Sequence, residues 1–133
     1  MNLFFDTSVV LAHLLAEDFE PPAAIWTATL FASRLLEYET WNRLHASKLA
    51  VTHGEAARGL LMRVNWVELA PEVLERALEP FPIPTRTLDA LHLASMDFLV
   101  RRKLKISLVS LDRRMCKAAR ALNIPVYSFP QQR

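Results

Sequence analysis

Glycine is nearly missing from this chain of 133 residues: Gly54 and Gly59 are the only two. A Gly-rich loop that cradles a phosphate, or a dinucleotide-binding fingerprint, is therefore excluded. Cysteine is represented once, by Cys116. One thiol builds neither a disulfide framework nor a cysteine zinc site, and it suits a reducing compartment. No uninterrupted apolar run approaches membrane-spanning length, and the N-terminus lacks a basic segment followed by a signal-length apolar core. A soluble, cytoplasmic protein with no membrane association is expected. Internal repeats, low-complexity tracts and linkers are also missing, so residues 1–133 are read as one domain. With 52% hydrophobic residues, that domain can bury a sizeable core.

Charge is nearly balanced in total, at +2, but not in distribution. Residues 1–100 carry 7 basic and 13 acidic side chains, whereas 101–133 carry 9 basic ones and a single acid, Asp112. Such asymmetry suggests a polyanionic partner on the C-terminal side and an acid-rich centre elsewhere. A solvated basic helix and tail would give the same count.

The order of elements follows from apolar patterning. Leu3–Phe5 is a short apolar run that stops at Asp6, and Thr7 or Ser8 begins a helix to Leu15, with a hydroxyl suited to cap it. Glu17 to Pro22 is a Pro-rich loop suited to partner contacts, and Ala23–Thr27 is a short helix. Thr29–Ala32 reads as a second strand, Arg34–Ala46 as a long helix, and Thr52 with Glu55 as a capping box for a helix to Arg63. Trp66–Leu69 is extended, Pro71–Leu78 helical, and the prolines between Pro80 and Pro84 prevent helix. Thr85 to Val100 is an amphipathic helix, Ile106–Ser110 a strand, Arg113–Leu122 a basic helix and Pro125–Phe129 a last strand. Strands alternating with helices predict an α/β fold, a three-layer α/β/α sandwich around a mostly parallel central sheet.

Two of these strands end in a cluster of hydroxyls and an acid: Asp6-Thr7-Ser8 and Ser110-Leu111-Asp112. In an open parallel sheet, the carboxyl ends of the strands form the binding crevice. Glu39 or Glu37 on the long helix, and Asp89 in the first turns of its own, could join Asp6 and Asp112 there. Glu37 and Glu39 point in different directions, so at most one faces the crevice. Two carboxylates 4 Å apart repel by about 4 kcal/mol at an effective dielectric near 20, so four together call for a cation. Oxygen-only ligation suits Mg²⁺ or Mn²⁺, ions that activate water for phosphoryl chemistry. Each acid also has a plain structural use, as a helix cap for Asp6 and Asp112 or as a complement to a helix dipole for Asp89.

Taken in order, Phe5-Asp6-Thr7-Ser8, Ser33 with Glu39 six residues on, Arg86-Thr87-Leu88-Asp89-Ala90-Leu91-His92-Leu93-Ala94 and Val109-Ser110-Leu111-Asp112 resemble the PIN-domain ribonucleases, specifically the VapC-type toxins of toxin–antitoxin pairs. The resemblance covers essentially the whole chain. It implies a PIN-like fold and an Mg²⁺- or Mn²⁺-dependent endoribonuclease that leaves a 5′-phosphate and a 3′-hydroxyl. It also implies an RNA substrate, a cognate antitoxin protein and a homodimer. By the same resemblance Asp6, Glu39, Asp89 and Asp112 hold the metal and activate water, with Glu39 chosen over Glu37 by its distance from Ser33. Ser8 and Ser110 match hydroxyls that orient the acids. Asn123 stands where relatives often carry Gly, and Asn tolerates the left-handed conformation required there.

Arg86, Arg113 and Arg114 are candidates for RNA phosphate contacts, Arg86 equally for pairing with a carboxylate, and Arg101, Arg102, Lys103 and Lys105 either extend that track or solvate a helix end. His92, one turn after Asp89, is expected to bond Asp89 or a backbone group as a satisfied core polar residue. Asp97, two turns after Asp89, is read as solvent-facing or as a distant charge partner. The three tryptophans are assigned to the core, with one or more lining the groove that the resemblance gives to an antitoxin segment. A nuclease of RNA maturation with no antitoxin, and a catalytically silent interaction module, are the competing readings. An aspartyl-nucleophile phosphatase needs a second Asp two residues after Asp6, and Ser8 stands there.

Overall fold

In the computed structural model, residues 1–16 and 19–129 are described. Glu17 and Asp18 of the Pro-rich loop lie outside them. Four strands, β1 (Asn2–Phe5), β2 (Thr29–Ser33), β3 (Asn65–Val67) and β4 (Ser107–Val109), form one sheet in the order β3-β2-β1-β4, with every pairing parallel. Six α-helices cover it: α1 (Thr7–Leu14), α2 (Leu35–Ala46), α3 (Ala50–Leu61), α4 (Pro71–Leu78), α5 (Thr87–Arg101) and α6 (Arg113–Ala121). Residues Ala23–Thr27 form a 3₁₀ turn before β2.

The continuous apolar run of β1 reflects its central place, since both its faces are covered. Leu3 and Phe5 pack with α1, α2 and α3 on one side, together with Leu30, Ala32 and Val109. Phe4 packs on the other side with Leu93, Ala94 and Met96 of α5 and Met115 and Ala118 of α6. These two cores, one on each face of the sheet, make the three layers of the expected α/β/α sandwich. β2 lies on one flank of β1 and β4 on the other, so the chain order reverses at β1. Open α/β sheets receive ligands in the crevice at such a reversal, outside the carboxyl ends of the strands, here those of β1 and β4.

Three sequence expectations fail locally. The last strand reduces to a single parallel bridge, Leu108 to Val126, held by bonds from Leu108 N to Pro125 O and from Tyr127 N to Leu108 O, both 2.8 Å. The capping box does not form: α3 begins at Ala50, which puts Thr52 inside the helix, where its hydroxyl donates back to Leu49 O. Thr7 and Ser8 are not caps either, because Asp6 is itself the N-cap of α1 and accepts from Ser8 N. Where a helix must stop and reverse, the glycine-poor chain uses other residues. Ala16, Lys48, Lys103 and Asn123 all adopt positive φ, from 48° to 67°, after α1, α2, α5 and α6.

Candidate active site

The crevice is built on Asp6, which follows the last residue of β1 and is almost fully buried. Its backbone N–H donates to Val109 O at 3.3 Å, which ties the end of β1 to the end of β4. Ser8 Oγ donates to Asp6 Oδ1 at 2.5 Å, and Ser110 Oγ donates to Asp6 Oδ2. Both hydroxyls also accept: Ser8 Oγ across the crevice from Leu111 N at 3.0 Å, and Ser110 Oγ within its own loop from Asp112 N at 2.9 Å. The loop after β4 is thus laced to the start of α1 through Asp6. Asp112 caps α6, accepting from Arg114 N at 2.9 Å and Met115 N at 3.4 Å.

Glu37 and Glu39 go separate ways on α2. Glu37 accepts from Arg34 Nη1 at 3.2 Å, and the same guanidinium forks onto Glu68. Glu39 Oε1 accepts two bonds, from Thr7 Oγ1 at 2.7 Å and from His92 Nε2 at 2.6 Å. His92 therefore bonds Glu39 rather than Asp89, and its buried Nδ1 has no partner among the described residues. Thr7 and His92 are the residues whose part here the sequence reading missed. Their contact with Glu39 spans 32 and 53 positions, a juxtaposition that only the packing of α1, α2 and α5 creates.

Electrostatics tie the acids together. Burial pushes the Asp6 carboxyl above its ordinary range; the Ser110 and Ser8 hydroxyls and His92 oppose this, and Asp112 adds to it. Burial also raises Asp89, reinforced by the negative charges of Asp112 and Glu39 and opposed by His92 and Arg86. Glu39 goes the other way: burial pushes it up, but hydrogen bonds from His92 and Thr7 outweigh this and hold it low. Among the described residues, neither Asp6, Asp89 nor Asp112 forms an ion pair with Lys or Arg. Nor do three His, Cys, Asp or Glu side chains, as they stand among those residues, close on one point as a metal site.

Arg86 and Arg114 line one small cleft with Asp89, beside Pro84, Thr85 and Met115. Arg113 is exposed on the first turn of α6 and does not line it. The basic run before β4 lies elsewhere. Arg101 bonds Asp97 at 3.0 Å and Arg102 meets Glu72 at 3.3 Å, while Lys103 and Lys105 line a groove with Met1 and Asn2 at the amino ends of the strands. Asp97 is mostly buried between Arg76, at 2.8 Å, and Arg101, so it is a charge partner and not solvent-facing.

No helix among the described residues is long and apolar enough to cross a membrane. A search of curated proteins returns no match to the chain. The PIN domain, whose members are in general nucleases, matches residues 3–121, a span that takes in Asp6, Glu39, Asp89 and Asp112, and the chain belongs to this family.

Proposed function

We propose that the protein is an Mg²⁺- or Mn²⁺-dependent endoribonuclease that hydrolyses RNA phosphodiester bonds, and that it serves in the cytoplasm as a homodimeric toxin held in check by an antitoxin protein. The observation that carries the nuclease reading is the pair Asp6 and Asp89, buried and partly buried carboxyls that form no ion pair with Lys or Arg among the described residues, and whose burial, with a smaller contribution from Asp112, raises them. Buried carboxyls that lack a fixed cation suit a site that a bound cation completes.

The donors fit a hard divalent ion. Asp6, Glu39, Asp89 and Asp112 would hold it with oxygen alone, and a carboxylate oxygen that accepts one hydrogen bond keeps a further lone-pair direction. Such an ion, when bound, neutralises the acids, acidifies water and offsets charge on a phosphodiester. The chain's own groups do the rest. Ser8 and Ser110 hold the Asp6 carboxylate in one orientation. Arg86 and Arg114, beside Asp89, take the phosphates next to the scissile bond, and Arg113 extends that contact along the strand.

The test is cleavage of a single-stranded RNA by the purified protein with Mg²⁺, with EDTA, and by Asp6→Asn with Mg²⁺. Cleavage in the first sample alone, with 5′-phosphate ends, is expected. Equal cleavage in all three overturns the mechanism. The toxin role is tested separately by expression in cells, with and without the product of a short reading frame directly upstream. Growth arrest that this product relieves is expected, and unimpaired growth despite RNA cleavage in vitro points to RNA maturation instead.

A further inference from the structure

Glu39 is the one acid of the crevice that reaches it from mid-helix, on a side chain with three rotatable bonds. It is held from two sides at a single atom. Thr7 Oγ1 and His92 Nε2 both donate to Oε1, at 2.7 and 2.6 Å, and no hydrogen bond from the described residues reaches Oε2. Thr7 directly follows Asp6, and His92 lies three residues after Asp89 on the same helix, so the two donors rise from the elements that carry two other acids.

The choice of a histidine at 92 is chemically pointed. Its neighbours along α5, Ala90, Leu93, Ala94 and Met96, are buried and apolar, and His92 itself is only 3% exposed. Nδ1 is buried without a partner, so the ring's whole polar output is the Nε2–H bond to Glu39. A leucine here would leave no orphaned atom, and an unmade bond to a buried polar group is unfavourable. That loss is offset at one place only, the Glu39 carboxylate. Facing a carboxylate oxygen selects the tautomer with the proton on Nε2, so the neutral ring in that tautomer donates to Oε1 as the doubly protonated ring does.

We infer that Thr7 and His92 are positioning residues that clamp Glu39 through Oε1 and thereby present Oε2 to the divalent cation. The inference rests on the nuclease reading above. Groups that orient a metal-binding carboxylate by hydrogen bonds typically change metal affinity 10- to 100-fold when removed.

Titration calorimetry with Mn²⁺ on the purified full chain tests this without relying on turnover. His92→Leu and Thr7→Val are each expected to bind Mn²⁺ about tenfold more weakly. His92→Gln, whose amide nitrogen reaches the place of Nε2, restores most of the affinity, whereas His92→Asn, which reaches only the place of Nδ1, does not. Thr7→Ser likewise restores it. In a Glu39→Ala background, His92→Leu and Thr7→Val produce no further loss. A His92 that only fills the core would weaken binding equally in both backgrounds, with no difference between Gln and Asn, and that result overturns the inference. Wild-type protein that binds Mn²⁺ no better than its variants overturns it while leaving the nuclease reading standing; wild-type protein that neither binds Mn²⁺ nor cuts RNA removes both. Should His92→Leu fail to fold, the Thr7→Val and Thr7→Ser pair carries the same comparison.

Discussion

Asp6 shows how a single residue takes on several duties once its surroundings are known. It caps α1, closes the β1–β4 ladder and receives two hydroxyls from opposite sides of the crevice. Ser110 is the more deeply buried of those hydroxyls and also accepts from Asp112 N. Ser110→Ala leaves a buried carboxylate oxygen and a backbone N–H short of a partner, so a loss of about 1–3 kcal/mol is expected in chemical denaturation at neutral pH. The protonation of the acids gives a second prediction. Because Asp6 and Asp89 have folded pKa values above their ordinary ones, their contribution to stability is complete below the ordinary Asp range and is lost as pH rises through the folded values. Glu39, held low, behaves oppositely: its contribution is present above its ordinary value and is lost as pH falls through the folded one. A cation must displace the protons on Asp6 and Asp89, so Mn²⁺ affinity should rise with pH through that upper window, with proton release in calorimetry carried out in buffers of different ionisation enthalpy. Affinity independent of pH there would contradict the raised values.

Among the elements, the helix ends carry the most testable chemistry. Lys48 and Lys103 hold φ of 56° and 67°, the left-handed region in which a Cβ is crowded against the following carbonyl. Crowding of that kind costs roughly 1–2 kcal/mol, while glycine's extra freedom in the unfolded chain recovers about half of it. Lys48→Gly and Lys103→Gly are therefore each expected to raise stability by about 0.5–1 kcal/mol, read as a higher denaturation midpoint. Asn123, at φ 61°, already has the residue type that tolerates this geometry and should gain less. At the start of α3 the absence of a side-chain cap follows from position: Leu49 takes the cap site, one turn ahead of the hydroxyl that the Thr-x-x-Glu pattern would use.

Across the whole molecule, β4 divides the basic C-terminal quarter between the two ends of the sheet. Arg101 to Lys105 precede the strand and sit at its amino end, tied to Asp97 and Glu72 or beside Met1. Arg113 and Arg114 follow it and sit at the carboxyl end, with the acids. RNA bound in the crevice should therefore feel only the second group. Arg86→Ala and Arg114→Ala are each expected to weaken RNA binding and to reduce the salt dependence of log K by about 0.7–1, whereas Lys103→Ala and Lys105→Ala leave the slope unchanged. Equal effects from both pairs, measured by fluorescence anisotropy over a salt series, would show that the substrate wraps both ends of the sheet.

Much of this protein is written locally. The unbroken apolar run of β1 marks a strand covered on both faces, its stop at Asp6 marks the crevice, and the Arg86–Ala94 stretch marks the helix that carries Asp89. These readings depend on neighbours in sequence, where period, turn chemistry and caps act. What only the tertiary structure decided depends on partners far apart in the chain. Glu37 and Glu39 have the same chemistry and helix geometry already points them apart; it is Thr7 and His92, 32 and 53 positions away, that make Glu39 the one bonded beside Asp6 and Asp89. His92 sits one turn from Asp89 yet bonds Glu39, because α2 and α5, which lie on opposite faces of the sheet, both pack against β2. The last strand shrank to one bridge at Val126. Local patterning sets which residues are strand, helix and cap; the strand order sets which carboxylates and which arginines share a crevice, since that order alone determines what the carboxyl ends of β1 and β4 bring face to face.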